Sequence, residues 1–187
     1  MATQLVESVL SLAGIRVGTE GPSYTVQPLI DGVEVRRYGP RIAAETTVAA
    51  TEEAARTVGF RRLAGYIFGG NHRDSRIAMT APVAQSYEGD EGWIIRFFMP
   101  ASRAMDRLPA PDDERVRLVS LPAESTAVLR FTGDRGPDAV AARTEQLLAT
   151  LRAVGFHPVG TPTAWFYDPP WTIPFRRRNE IAVTVED

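Results

Sequence analysis

Between residues 59 and 83 the apolar positions change period, and the rest of the chain can be read from that change. Phe60, Leu63 and Ile67 recur at three- and four-residue spacing, with Ala54, Ala55 and Val58 extending the same face upstream. That spacing predicts one amphipathic helix. Thr51, Glu52 and Glu53 supply a start, because a threonine oxygen can cap free N–H groups and carboxylates favour the positive helix end. Gly69–Gly70 supplies the stop. Beyond the polar turn 71–75, Ile77, Met79, Ala81 and Val83 alternate with Arg76, Ala78 and Thr80, the two-residue period of a half-buried strand. Pro82 marks an edge or a strand end.

The same two periods recur on either side. Residues 33–38 alternate, Gly39–Pro40 turns the chain, and 42–48 returns as a second strand. After the acidic turn 88–92, the run 93–99 is apolar on both faces except at Arg96, as in a central covered strand. Residues 100–113 hold Pro100, Pro109 and Pro111 without periodicity and read as a surface crossover. The pattern then begins again. Strands at 116–121 and 126–131 flank Leu121–Pro122–Ala123, and a helix opens at Pro137. Val140, Leu147, Leu148, Leu151 and Val154 form its apolar stripe, Gly155 ends it, and strands follow at 164–167 and 180–185. Each half is strand, strand, helix, strand, strand, with equivalent points roughly 80–85 residues apart.

The expected fold is therefore α+β. Two duplicated strand–strand–helix–strand–strand units (33–99 and 115–185) form a distorted antiparallel β-barrel flanked by two long helices, which closes otherwise open edges. The expected division is one domain over 23–187, preceded by an N-terminal helix and linker over 1–22. Leu5, Val9, Leu12 and Ala13 lie at helical spacing there without a basic leader, which favours a docking helix over a secretory signal.

Composition narrows the chemistry. At 187 residues and 44% hydrophobic content, the chain can bury a real core. A net charge of −2 and a pI near 5.8 provide no general attraction for nucleic acid or anionic membranes. All 21 basic residues are arginine, and the clusters 36–37, 61–62 and 176–178 are balanced by acids, so nucleic acid is not an expected partner. No apolar run approaches the 18 or so residues of a membrane span, and a cytoplasmic protein is expected. The absence of cysteine excludes disulfides, thiolate catalysis, Fe–S clusters and cysteine-ligated zinc. His72 and His157 are the two histidines, both in turns, so a three-histidine metal site is excluded. Neither a hydrolase motif, nor a P-loop, nor G-x-G-x-x-G occurs. No catalytic residue and no metal ligand is assigned.

A second distinctive stretch is 165–180, WFYDPPWTIPFRRRNE. Pro169, Pro170 and Pro174 stiffen it, while Trp171, Ile173 and Phe175 give it apolar surface beside Arg176, Arg177 and Arg178. One reading is a rigid lid over a flat apolar ligand with acidic substituents. Another is a connection folded onto the end of the barrel, its arginines paired with surface acids. A third is a protein-docking loop over 165–175. Glu180 and Glu45 place carboxylates near the interior, either as an active group in a groove between the halves or as partners of arginine.

The strings EVRRYGPRIAAET, GFRRLAGYIFGGN, IAMTAPV and YDPPWTIPFRRRNE, in this order and spacing, resemble the SOUL haem-binding protein family, and GIRVGTEGPSYTV resembles its bacterial branch. The similarity runs from about residue 15 to 185. It implies a fold shared with gyrase-inhibitor-like effector-binding domains, and the binding of haem or another tetrapyrrole by a carrier, buffer or sensor. Carried onto this chain, the resemblance implies a porphyrin lying between helix 51–68 and loop 168–178. Apolar contacts would come from Phe60, Leu63, Ala64, Ile67, Trp171 and Phe175, and propionate contacts from Arg56, Arg61 or Arg176. Arg37 stands where some members carry a histidine, so the implied binding lacks an evident axial ligand. The competing expectation is a small-molecule effector module or hydrolase that uses a glutamate in the inter-half groove.

Overall fold

The computed structural model describes residues 19–186, so the expected helix at 5–13 lies outside the described residues. In chain order the elements are β1 (Tyr24–Pro28), β2 (Val33–Tyr38), β3 (Arg41–Val48), α1 (Glu52–Ile67), β4 (Val83–Tyr87), β5 (Trp93–Phe98), β6 (Arg117–Leu121), β7 (Glu124–Phe131), α2 (Pro137–Val154), β8 (His157–Phe166) and β9 (Asn179–Glu186). The strand–strand–helix–strand–strand order stands in both halves, with β1 added in front. The fold is α+β.

All nine strands join one sheet in the order β1-β2-β7-β9-β8-β4-β5-β3-β6, and every paired ladder is antiparallel. The duplication is visible in that order. β4-β5-β3 of the first half mirrors β8-β9-β7 of the second, and β4 meets β8 at the centre. The opening strand of each half is exchanged: β2 pairs with β7 and β6 pairs with β3. The turns Gly39–Pro40 and Pro122–Ala123 thus carry the chain from one half to the other instead of closing hairpins. Proline has no N–H to donate to a ladder, which suits such corners. The sheet remains open between β1 and β6, so the expected barrel is not closed.

The strand expected from Ile77 begins only at Val83. Residues 77–82 run extended, and the Ala81 N–H donates to the Glu20 carbonyl at 2.8 Å beside a parallel bridge between Glu20 and Thr80. Ile77 is nevertheless buried under α1, and its N–H donates to the Ile67 carbonyl at 2.8 Å. Alternation holds for Ile77 and Ala81, which are buried, and fails at Met79, which is exposed, and at Thr80, which is buried, because no ladder keeps the two-residue period here. At the start of α1, Thr51 adopts an extended conformation, but its side chain makes no capping bond.

Two cores separate the helices from the sheet. Leu63, Tyr66 and Ile67 of α1 pack with Ile95 and Phe97, while Leu147 and Leu151 of α2 pack with Phe166, Ile181 and Val183. Gly59 allows the first contact, since a Cβ there would stand 2.7 Å from the Cβ of Ile95. On the opposite face of the sheet, Tyr38, Phe98 and Trp165 form a smaller aromatic core, with Tyr38 and Phe98 each edge-on to Trp165. The inner strands thus divide their residues between a helix-covered face and an aromatic face, while β1 is exposed along its length.

Candidate functional site

The connection from β8 to β9 is braced from within. The Arg178 N–H donates to the Asp168 carboxylate at 2.6 Å, and the Tyr167 N–H donates to the Arg178 carbonyl at 3.2 Å. Arg177 turns inward, its guanidinium donating to the carbonyls of Thr172 and Pro170 at 2.8 Å each. Thr172 is fully buried, and a short 3-10 turn over Pro174–Arg176 completes the loop. The prolines and these bonds fix a backbone whose apolar side chains face out. Trp171 is 61% exposed, Phe175 69% and Ile173 38%. Burying so much apolar surface in a partner or ligand is favourable, and the ordering cost is reduced by the bracing.

Guanidinium groups gather at the base of this loop. Arg135, in the turn before α2, donates to the Asp168 carbonyl at 3.0 Å. Arg56, from the first turns of α1, donates to the Gln85 side chain at 2.8 Å, to Glu52 at 3.0 Å and to the Arg135 carbonyl at 3.4 Å. Both stack on Phe166, their guanidinium carbons 4.4 Å (Arg56) and 5.5 Å (Arg135) from the ring centroid. Burial, then the charges of Arg56 and Arg177, lower the Arg135 pKa to about 10. Burial also lowers that of Arg56, against the pull of Glu52. Glu52, Glu53 and Asp134 act on Arg56, and Asp168 acts on Arg135, so carboxylates offset these guanidiniums in part.

The structure thus joins Arg56 to the base of the loop but distributes the other sequence-derived residues differently. Leu63 and Ile67 are 0% and 1% exposed and belong to the α1 core, so they offer no surface to a ligand. Ala64 is half-buried and Arg61 exposed. Phe60, one turn beyond Arg56, is 39% exposed with its ring centroid 5.3 Å from that of Phe97. Arg176 lies beside Phe175, its guanidinium carbon 5.9 Å from that ring. Arg135 and Phe166 were not anticipated, and Arg177, expected on the rim with its neighbours, instead bonds the loop's own carbonyls. The sequence sign for Arg135 is its place in the Gly133–Gly136 turn just before Pro137, where a helix start meets a polar loop.

The two glutamates near the interior are ion-paired. Glu180 is fully buried and accepts from Arg36 at 2.7 and 2.9 Å, from Arg178 at 2.8 Å and from the Tyr167 hydroxyl at 2.7 Å. Burial alone would raise its pKa, but hydrogen bonds and charge from Arg36, then Arg178 and Tyr167, outweigh it and hold the carboxyl below its ordinary value. A buried general acid needs the opposite shift. Glu45 accepts from Arg96 at 2.9 Å and Arg117 at 3.2 Å. Both residues fit the arginine-partner reading.

Neither histidine is near the loop. His157 opens β8, nine residues from Phe166, or about 30 Å along an extended strand. His72 follows α1 at the end opposite Arg56, its imidazole 3.7 Å from Asp112. No group of three or more His, Asp or Glu side chains arranged to hold a metal occurs among the described residues.

The chain is thus a duplicated antiparallel α+β domain that presents a braced aromatic loop above clustered arginines. The family model of the SOUL heme-binding protein matches residues 19–184, and the chain belongs to that family. It is similar to Heme-binding protein 2 of Homo sapiens, 30% identical over 129 residues covering 65% of this chain and 60% of that one. The Mus musculus protein of the same name is 30% identical over 112 residues, covering 56% and 54%. The matched stretches thus span somewhat over half of those relatives. Among solved structures, the C-terminal domain of EcmrR shares the fold with a TM-score of 0.61 at 13% identity, over 88% of this chain and 98% of that one. No helix of the described residues is long and apolar enough to cross a membrane.

Proposed function

We propose that this protein binds haem or a related tetrapyrrole on the face made by loop 168–178 and the first turns of α1, and acts as a carrier, buffer or sensor. The observation that carries this reading is the braced loop with Trp171, Ile173 and Phe175 turned to solvent beside an arginine-rich base. A porphyrin has a flat apolar face and carboxylate arms, and the two parts of the site match those two chemistries. Membership in a heme-binding family supports the ligand class. The distance of both histidines from the loop argues for binding without an axial imidazole.

The energetics predict moderate affinity. Burying roughly 400 Å² of apolar surface at about 25 cal/mol per Å² yields on the order of 10 kcal/mol. Association costs roughly 4–15 kcal/mol, and a loop already fixed keeps that cost near its lower end. About 6 kcal/mol then remains, which corresponds to binding in the tens of micromolar. The test is a hemin titration of the apo-protein followed by the Soret band. A saturable one-to-one response at micromolar concentration supports the proposal, and a linear, unsaturable response overturns it.

A further inference from the structure

The aromatic face of the sheet, opposite the helices, carries a second arrangement that the loop site does not use. A cleft of about 100 Å³ lies between the 21–24 segment and the sheet, walled by Tyr24, Tyr38, Phe98 and Trp165. Arg41 lines it and also lines a neighbouring cleft of about 140 Å³. The Arg41 side chain is only 8% exposed. Its guanidinium carbon lies 4.2 Å from the Tyr38 ring centroid and 5.3 Å from that of Phe98. One of its nitrogens, Nη2, pairs with Glu124. The other two, Nε and Nη1, are buried without a hydrogen-bond partner.

Those two atoms are anomalous. Among the described residues, four buried side-chain nitrogen or oxygen atoms lack a partner, and two of the four belong to this one guanidinium. Leaving a buried donor unsatisfied costs about 1–3 kcal/mol, more for a charged group. Arg178 also lines the cleft, and like Arg41 it is paired with a carboxylate, but none of its nitrogens is left buried without a partner. The unmet demand is therefore for an acceptor at Arg41, within aromatic walls.

We propose that this cleft binds a small organic carboxylate, with Arg41 donating to the carboxylate and the aromatic side chains enclosing a short apolar body. Size limits the ligand: a cavity of roughly 150 Å³ accommodates benzene, so a space near 100 Å³ suits a body of two to four carbons. A neutral amide of the same shape keeps one carbonyl acceptor but lacks the charge that strengthens a hydrogen bond from a guanidinium, and so binds more weakly.

The probe is propionate, with propionamide as the uncharged isostere, added to the full chain labelled with 15N and observed at the arginine Nε–H and tryptophan Nε1–H resonances. The expected result is a saturable shift of the Arg41 and Trp165 signals, with propionamide at least tenfold weaker and Arg41→Gln at least tenfold weaker for propionate. Equal binding of propionamide, shifts that map away from Arg41, or undiminished binding by a folded Arg41→Gln protein would each overturn the proposal. The amide comparison uses the unmodified protein, so it decides the question even where Arg41→Gln does not fold. Haem binding at the loop is a separate observable.

Discussion

Two clusters of arginine lie within a few residues of each other, and they do opposite things. Around Glu180, the guanidiniums of Arg36 and Arg178 converge on one buried carboxylate whose two oxygens also take the Tyr167 hydroxyl. Glu34 also pairs with Arg36 at 2.6 Å, so two carboxylates meet two guanidiniums and the group is closed. Under the loop, Arg56, Arg135 and Arg177 donate mostly to carbonyls, with Glu52 the one carboxylate bonded by Arg56, and burial, then the charges of Arg56 and Arg177, lower the Arg135 pKa to about 10. The carboxylates of Glu53, Asp134 and Asp168 lie near enough to act on these arginines, and aromatic surface stands above them. The lesson is that arginine count says little, whereas the number of acceptors each guanidinium meets separates a structural network from a binding surface.

The sharpest way to break the comparison is to remove the shared carboxylate. Glu180→Gln should cost about 3–5 kcal/mol of unfolding free energy in urea, because it strands two buried guanidiniums. The pH dependence has a definite sign. The folded pKa lies below the ordinary 4.5, so the carboxylate contributes stability above that value. That contribution is lost as the pH falls through the lower folded pKa. Acid denaturation of the parent protein should therefore be steeper below about pH 4.5 than that of the variant. Leu63→Ala should cost about 2–5 kcal/mol in the same assay through a cavity in the α1 core, while folded molecules keep their hemin affinity. An affinity loss at constant fold would mean that α1 opens to the ligand.

Substitutions at the loop should show the reverse profile. Trp171→Ala or Phe175→Ala should weaken hemin at least tenfold, about 1.4 kcal/mol, with the urea midpoint unchanged. Arg135→Gln should weaken hemin several-fold but leave the dimethyl ester of protoporphyrin nearly unaffected, since the ester lacks the carboxylates that a guanidinium would meet. Arg176→Gln should be smallest, within about 0.5 kcal/mol in stability, as expected of an exposed cation.

Much of this was legible in the periodicity. The switch from 3.6 to 2 at residues 68–77 located α1 and its stop, and the repeated element order anticipated both halves. The pairing was not legible, because a short Gly-Pro turn looks the same whether it closes a hairpin or crosses between halves. The helix face was read correctly as apolar, but periodicity cannot tell a ligand platform from a core, and Leu63 and Ile67 belong to the core. Three consecutive arginines at 176–178 read as one basic rim. They point to three environments: Arg176 beside Phe175, Arg177 into the loop carbonyls, Arg178 onto Glu180. Alternation along an irregular, proline-stiffened loop carries no such information, and Arg135 comes from a turn more than 30 residues away in sequence.

The most direct test is to map a diamagnetic porphyrin, gallium protoporphyrin, onto the 15N-labelled protein by NMR. Shifts concentrated at the Trp171 indole, Ile173, Phe175 and the Arg135 turn would agree with the account. Shifts concentrated instead at Tyr38, Trp165 and Arg41, with the loop unmoved, would contradict it and place the tetrapyrrole on the opposite face of the sheet.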